Sequence, residues 1–276
     1  MLSRGWVGRS RFRNTSAPCR FLSAGNKPPG VAIVSGGSSG IGLRVVRRLM
    51  EEGWLVHNIS RSVCPVPGIR THSFDLTCVD EARGAARSVV ETMGGAESRS
   101  RVSFIHCASV FRADSIKAFN VKDMRDSLNI NVIAPGVILD SIRPFMKEGS
   151  SVILIGSTLS EKAVAGRCSY ITSKHATDLF GSGIHTVCVC PGFTDTPMLQ
   201  REMKDEEQAK KFFKQFVSLG RMISPEEVAE SIFHAVNMPA LNGSILHLNG
   251  GQKETYFHVA DKTVVSKCEP NLQRPL

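Results

Sequence analysis

The chain has 276 residues, 42% of them hydrophobic, enough to bury one substantial core without dividing into several domains. Its net charge of +9 invites a nucleic-acid partner, yet the excess sits at one end: Arg4, Arg9, Arg11, Arg13, Arg20 and Lys27 all precede the first acidic residue, Glu51. The body that follows is only mildly basic, without interleaved basic and aromatic residues, and no apolar run is long enough for a secretory signal or a membrane span, so no nucleic acid and no membrane enter the primary reading.

Residues 1–27 are rich in Arg and Ser, lack acids and carry scattered Leu2, Trp6, Val7, Phe12, Phe21 and Leu22. That composition predicts a cleaved transit peptide and a mitochondrial matrix location; a disordered basic arm on a cytoplasmic protein is the alternative. The eight cysteines are scattered with no Cys-x-x-Cys pair, which points to reduced thiols and to no metal. Cys188 and Cys190, two apart in a β-rich run, are expected on one side of a strand as core residues.

From Pro28 and Pro29 onward, short apolar runs alternate with longer helical stretches, the pattern of βαβ units. Strands are predicted at Val31 to Ser35, Leu55 to Ile59, Ile69 to Phe74, Val102 to His106, Ser151 to Ile155, Ile184 to Val189 and Ser244 to Leu248. Helices are predicted near 41–52, 79–93, 122–147, 169–180 and 225–236, with a polar loop from Ala96 to Arg101. The fold expected is α/β: one doubly wound Rossmann-type domain over 28–252 with a mainly parallel seven-stranded sheet. Residues 199–217, with Met203, Phe212, Phe213 and Phe216 among charges, form an amphipathic insertion. Residues 253–276 lack periodicity and read as a tail.

The first strand runs into Ser35-Gly36-Gly37-Ser38-Ser39-Gly40-Ile41-Gly42 and then directly into a helix. Glycines let the backbone turn sharply and approach a pyrophosphate, while the helix N-terminus offers amides and a positive dipole end. Gly36, Ser38, Ser39, Gly40, Ile41 and Gly42 are therefore candidate cofactor contacts. The spacing of Gly36, Gly40 and Gly42 resembles the short-chain dehydrogenase/reductase family, and the resemblance runs from about Val31 to Gly251.

That resemblance implies further positions. After the second strand, where an acid would accept from the ribose of NAD, the chain has Ser60 and Arg61, and a guanidinium without a carboxylate favours NADP(H) over NAD(H). Asp75 matches the acid that contacts the adenine amino group, with a helix cap as its other reading. The Asn-Asn-Ala-Gly that stabilises the central sheet and lines the cofactor is replaced by His106-Cys107-Ala108-Ser109; only Ala108 is kept, and His106 reads as a structural hydrogen-bonder. Pro191-Gly192-Phe193-Thr194-Asp195-Thr196 resembles the loop that contacts the nicotinamide carboxamide, through Thr196, and the insertion at 199–217 falls where a substrate-covering lid belongs.

Tyr170 and Lys174 lie four apart at the start of a helix and share one face, and Ser157 follows the fifth strand. Carbonyl reduction needs a proton donor at the oxygen while hydride arrives at carbon, and a neighbouring ammonium lowers the pKa of a phenol that is otherwise too weak an acid. In the family pattern Ser157 orients the carbonyl, Tyr170 is the general acid, Lys174 also holds the nicotinamide ribose, and Asn131 anchors a water chain to the lysine. The helix from Tyr170 meets Gly181-Ser182-Gly183 after only roughly 17 Å, two to three turns short of related chains. That helix is the usual dimer contact, which makes a homodimer or homotetramer doubtful here. The segment Leu219 to Val228 resembles 3-oxoacyl-carrier-protein reductases. An NADP(H)-dependent ketone or 3-oxoacyl reductase acting on a small-molecule carbonyl or alcohol is the first expectation; a catalytically impaired nucleotide-binding sensor or interaction protein, such as a truncated splice form would be, is the alternative.

Overall fold

The apolar runs become strands β1 (Val31–Ser35), β2 (Leu55–Ser60), β3 (Arg70–Ser73), β4 (Val102–His106), β5 (Ser151–Ile155), β6 (His185–Pro191) and β7 (Ser244–Leu248) in a computed structural model of the chain. The structure describes residues 29–93, 101–112, 114–115, 117–158, 168–175, 184–201 and 206–252. The expected leader at 1–27, most of the polar loop, Met203, the tail at 253–276, and residues 176–183 with their early helix end lie outside the described residues. All strand pairings are parallel and the order is β3-β2-β1-β4-β5-β6-β7, the doubly wound sheet expected.

β1 has β2 on one side and β4 on the other, with Val31 opposite both Leu55 and Val102. The winding therefore reverses beside β1, and the carboxyl ends of β1 and β4 open a crevice there. Both faces of the sheet are covered, which is why its central strands are apolar throughout rather than alternating. Ala32 and Val34 of β1 pack on one face with Val45, Val46 and Leu49 of α1 (Gly40–Glu51) and Val228, Ala229 and Ile232 of α8 (Pro225–Val236). Val31 and Ile33 pack on the other with Ala82, Ala85 and Val89 of α2 (Val79–Thr92) and Ile138 and Ile142 of α4 (Ala134–Ile142).

The single helix expected over 122–147 is divided. It consists of α3 (Val121–Leu128), a π turn (Asn129–Ile133), α4 and a 3-10 turn at Arg143–Phe145. Ala134 N–H reaches back five residues to the Asn129 carbonyl, and Pro135, which has no N–H to give to a regular ladder, follows at once. Pro144 ends α4 in the same way. The remaining helices are α5 (Cys168–His175), α6 (Pro197–Gln200) and α7 (Glu206–Phe216).

Candidate active site

A cleft of about 420 Å³ opens over the carboxyl ends of the central strands. Gly36, Ser38, Ser39, Gly40, Ile41 and Gly42 form one wall, joined by Arg61, Asp75 and Ala108; Ser157, Tyr170, Lys174, Pro191, Gly192 and Thr196 line the rest. Of the expected site residues only Asn131 is not on its surface.

The glycine loop is shaped by close approach. Gly36 has φ +75°, and a Cβ there would lie 2.8 Å from the Ala108 backbone; a Cβ on Gly42 would lie 2.3 Å from the Gly36 carbonyl oxygen. Gly37 N–H donates to Asn58 Oδ1 at 2.9 Å, and Asn58 Nδ2 donates to Ser60 Oγ at 2.8 Å, so the loop is tied to the end of β2 beside Arg61. At the start of α1 neither a capping side chain nor an acidic residue of the first turn engages the helix amides. Backbone pressed against backbone, followed by an uncapped helix start, fits a pyrophosphate lying across it.

At the far end of this wall, Arg61 Nη1 stands 3.8 Å from Asp75 Oδ2, with the arginine side chain 69% exposed. Asp75 Oδ1 accepts from Thr77 N–H and Oγ at 3.0 and 2.8 Å ahead of α2, whose cap is Cys78. Burial pushes the Asp75 carboxyl up, but the Thr77 bonds and the Arg61 and Lys122 cations outweigh it and hold the group below its ordinary range. Asp75 is thus a turn-former at the cleft rather than the helix cap itself.

The changed motif after β4 keeps its bracing role by other means. His106 is 2% exposed, and its Nε2 lies 2.8 Å from the Ile130 carbonyl of the π turn. A carbonyl only accepts, so Nε2 carries the proton and Nδ1 accepts from Ser35 Oγ at 2.8 Å. Ser35 Oγ in turn accepts from Ala108 N–H at 3.2 Å. Burial, assisted by the Lys174 charge and opposed by the Ile130 bond, drives the His106 pKa down to about 3. The imidazole is a neutral brace linking β1, β4 and the π turn, not a base. Burial also pushes the Cys107 thiol up to about 12, against the pull of Lys174, which leaves it an inert cleft wall.

At the reacting end, Tyr170 is buried on α5, shares a hydrogen bond with Ser157, and meets the Phe111 ring edge-on at 4.8 Å between centroids. Lys174 Nζ donates to the Ile155 carbonyl at 2.6 Å and lies 5.8 Å from the Tyr170 ring centre. Burial lowers the Lys174 pKa to about 8, opposed by Cys188, Cys190 and Cys107. The activation expected for Tyr170 is corrected here: burial raises its pKa, and Cys190 adds to this, more than the Ser157 bond lowers it. Desolvation is the largest influence on the phenol at this site.

Asn131 lies in the π turn beneath α5, off the cleft surface. Its side chain turns toward α5, donating from Nδ2 to Ser173 Oγ at 2.8 Å, while Oδ1 is buried with no partner. Cys188 and Cys190 are core residues as expected, their sulfurs 3.7 Å apart beneath Gly156. Thr196 accepts from Leu199 N–H at 3.4 Å as the cap of α6, with its methyl against Gly40.

The insertion divides its work. Leu199 and Arg201 line the cleft, whereas Phe212 and Phe213 of α7 pack edge-on against Phe193, at 5.2 and 5.5 Å. Phe193 lines the cleft as well, so α7 acts on it through one ring. In the Leu219 to Val228 segment, Ser224 and Glu227 form a capping box on α8 with Pro225 in the first turn, and Arg221 grips Glu227 through both oxygens. That pattern is helix-start chemistry and says nothing of substrate.

Asn58, Phe111, Asp114 and Ser173 were not singled out from the sequence. Asn58 alone gave a signal, a polar residue inside an apolar strand.

The profile of the short chain dehydrogenase family matches residues 30–207. Dehydrogenase/reductase SDR family member 6 of Danio rerio is 28% identical over 225 residues, covering 72% of this chain and 86% of that protein. Carbonyl reductase family member 4 of Xenopus laevis is 26% identical over 241 residues, covering 80% and 97%. Among solved structures, ligand-free aldohexose dehydrogenase of Thermoplasma acidophilum superposes with a TM-score of 0.74 at 20% identity, over 83% of this chain and 96% of that one. A short chain dehydrogenase of Burkholderia cenocepacia, in complex with NADP, gives 0.70 at 24% identity over 82% and 98%. Fold, cleft and these relatives together make the chain a dehydrogenase/reductase of the short chain dehydrogenase family.

Proposed function

We propose that the protein is an NADP(H)-dependent reductase that converts a ketone to a secondary alcohol, with Tyr170 as proton donor. The observation that carries this reading is geometric: a buried Tyr170 hydrogen-bonded to Ser157, with Lys174 one turn on along the same helix, all three lining one cleft. Reduction consumes a proton at the developing alkoxide, and a phenol that holds its proton is the form required. When bound, the reduced nicotinamide supplies a hydride to the carbonyl carbon. Ser157 donates to the carbonyl oxygen and holds it beside Tyr170, which passes its proton to that oxygen as charge develops. Lys174, an ammonium below about pH 8, stabilises the phenolate left behind and would hold the nicotinamide ribose. Asn131 holds α5 through Ser173.

NADP(H) is preferred over NAD(H) in this reading because Arg61 is largely exposed at the adenosine end and free to turn from Asp75 to a ribose phosphate. Ketones, 3-oxoacyl thioesters among them, are the proposed substrate class, and a mitochondrial matrix location is proposed on the arginine-rich, acid-free composition of the first 27 residues. No helix among the described residues is long and apolar enough to cross a membrane.

The test is consumption of NADPH and of NADH by the purified chain against a panel of ketones and 3-oxoacyl thioesters. Turnover with NADPH exceeding that with NADH is the expected result. Tight NADPH binding without turnover of any carbonyl would overturn the reductase reading in favour of a nucleotide sensor. A fusion of residues 1–27 to a reporter that stays cytosolic would overturn the matrix location.

A further inference from the structure

The loop between β4 and α3 reaches the reacting helix at two points. Phe111 packs against the Tyr170 ring, and three residues on, Asp114 is 5% exposed at the start of α5. Asp114 Oδ1 and Oδ2 accept from Ser169 N–H at 3.0 and 3.2 Å, and the Ser169 hydroxyl donates to Oδ2. A buried carboxylate is costly unless hydrogen-bonded, and a helix N-terminus is the place where backbone donors and dipole favour it. Ser169 is the residue immediately before Tyr170. Its partners lie 55 positions away in sequence, so the bond fixes α5 to the β4 side of the cleft rather than to its own neighbours.

We propose that Asp114 is a positioning residue for the reaction: by holding Ser169 it fixes the first turn of α5 and so sets the Tyr170 hydroxyl against Ser157. Within the described part of α5, Cys168–His175, Asp114 holds the first turn while Asn131 of the π turn, through Ser173, grips the following one. Loss of Asp114 frees the turn that carries the tyrosine while Lys174 stays bonded to the Ile155 carbonyl. Nothing in the glycine loop changes. The proposal rests on Tyr170 as the proton donor, and one arm of its test does not need turnover.

The sequence has two tyrosines, Tyr170 and Tyr256, so in a Tyr256→Phe background the ultraviolet phenolate titration reports Tyr170 alone. Asp114→Ala in that background is expected to lower kcat roughly a hundredfold, the scale of an ångström-sized misplacement, with NADPH affinity unchanged. The Tyr170 titration is expected to move down toward the ordinary value of 10.0 as the ring gains water. Asp114→Asn, which keeps an acceptor for Ser169 N–H, recovers most of both effects, and Ser169→Ala gives a smaller shift in the same direction. A folded Asp114→Ala protein with unchanged titration and kcat overturns the proposal, as does a parallel loss of kcat and NADPH affinity. If Asp114→Ala does not fold, Ser169→Ala decides, and an unmoved titration in it is the contrary result. A parent protein without turnover would defeat the reductase reading while leaving the titration arm intact.

Discussion

The two ends of the cleft are built on different principles. At the glycine-loop end the shape is made by backbone: Gly36 against Ala108, Gly42 against the Gly36 carbonyl, and Gly37 tied to Asn58 within neighbouring parallel strands. At the reacting end the shape is made by side chains reaching across long stretches of sequence, Asp114 to Ser169, Asn131 to Ser173 and Lys174 to Ile155. Backbone contact is unforgiving of any added atom but needs no tuning. Side-chain bracing tolerates substitution at the cost of precision, so the first end governs whether nucleotide binds and the second how fast anything reacts.

The sharpest way to break the first end is Gly36→Ala. An alanine must adopt φ +75° with its Cβ 2.8 Å from backbone, so nucleotide affinity is expected to fall roughly a hundredfold, about 3 kcal/mol, with kcat at saturation much less affected. Calorimetric titration with NADPH checks this. Arg61→Ala is expected to be milder: if Arg61 meets the ribose phosphate as proposed, KM for NADPH rises roughly tenfold while NADH is unchanged, which steady-state kinetics with both cofactors would read.

His106 joins the two ends, and acid is the way to test it. Its pKa in the fold is about 3 against an ordinary 6.5, so between these values the unfolded chain binds a proton that the folded chain excludes. Stability therefore falls as pH drops below about 6.5, by about 1.4 kcal/mol per unit from this group. Denaturant melts of His106→Asn across that range are expected to be flatter by that slope. The smallest effect expected is one of profile. Lys174 loses its proton as pH rises through about 8, so reduction is expected to decline there, and Lys174→Arg, which keeps its charge, moves that alkaline limb upward in a pH–rate measurement.

The same contrast explains what the sequence made legible. The glycine loop and the seven strands are local patterns, each strand a short apolar run, and they could be read residue by residue. Ser157, Tyr170 and Lys174 were legible through their spacing after β5. Asp114 was not, because a lone acid in a loop carries no sign that it caps a helix 55 residues on. His106 looked like a missing motif because the residue type changed, although its hydrogen bonds brace the same strand ends. The π turn was hidden in an apolar stretch that reads as continuous helix until Pro135 is placed against it. The direction of the Tyr170 shift could not be read at all, since it depends on how completely water is excluded around the ring.

Whether the two ends are separable is tested most directly by Tyr170→Phe, with NADPH affinity and single-turnover reduction of a ketone measured on one preparation. Binding indistinguishable from the parent's is expected, with a rate lower by roughly three orders of magnitude, the share of a lost general acid. A rate close to the parent's, or a loss of binding that accounts for the loss of rate, would contradict this expectation.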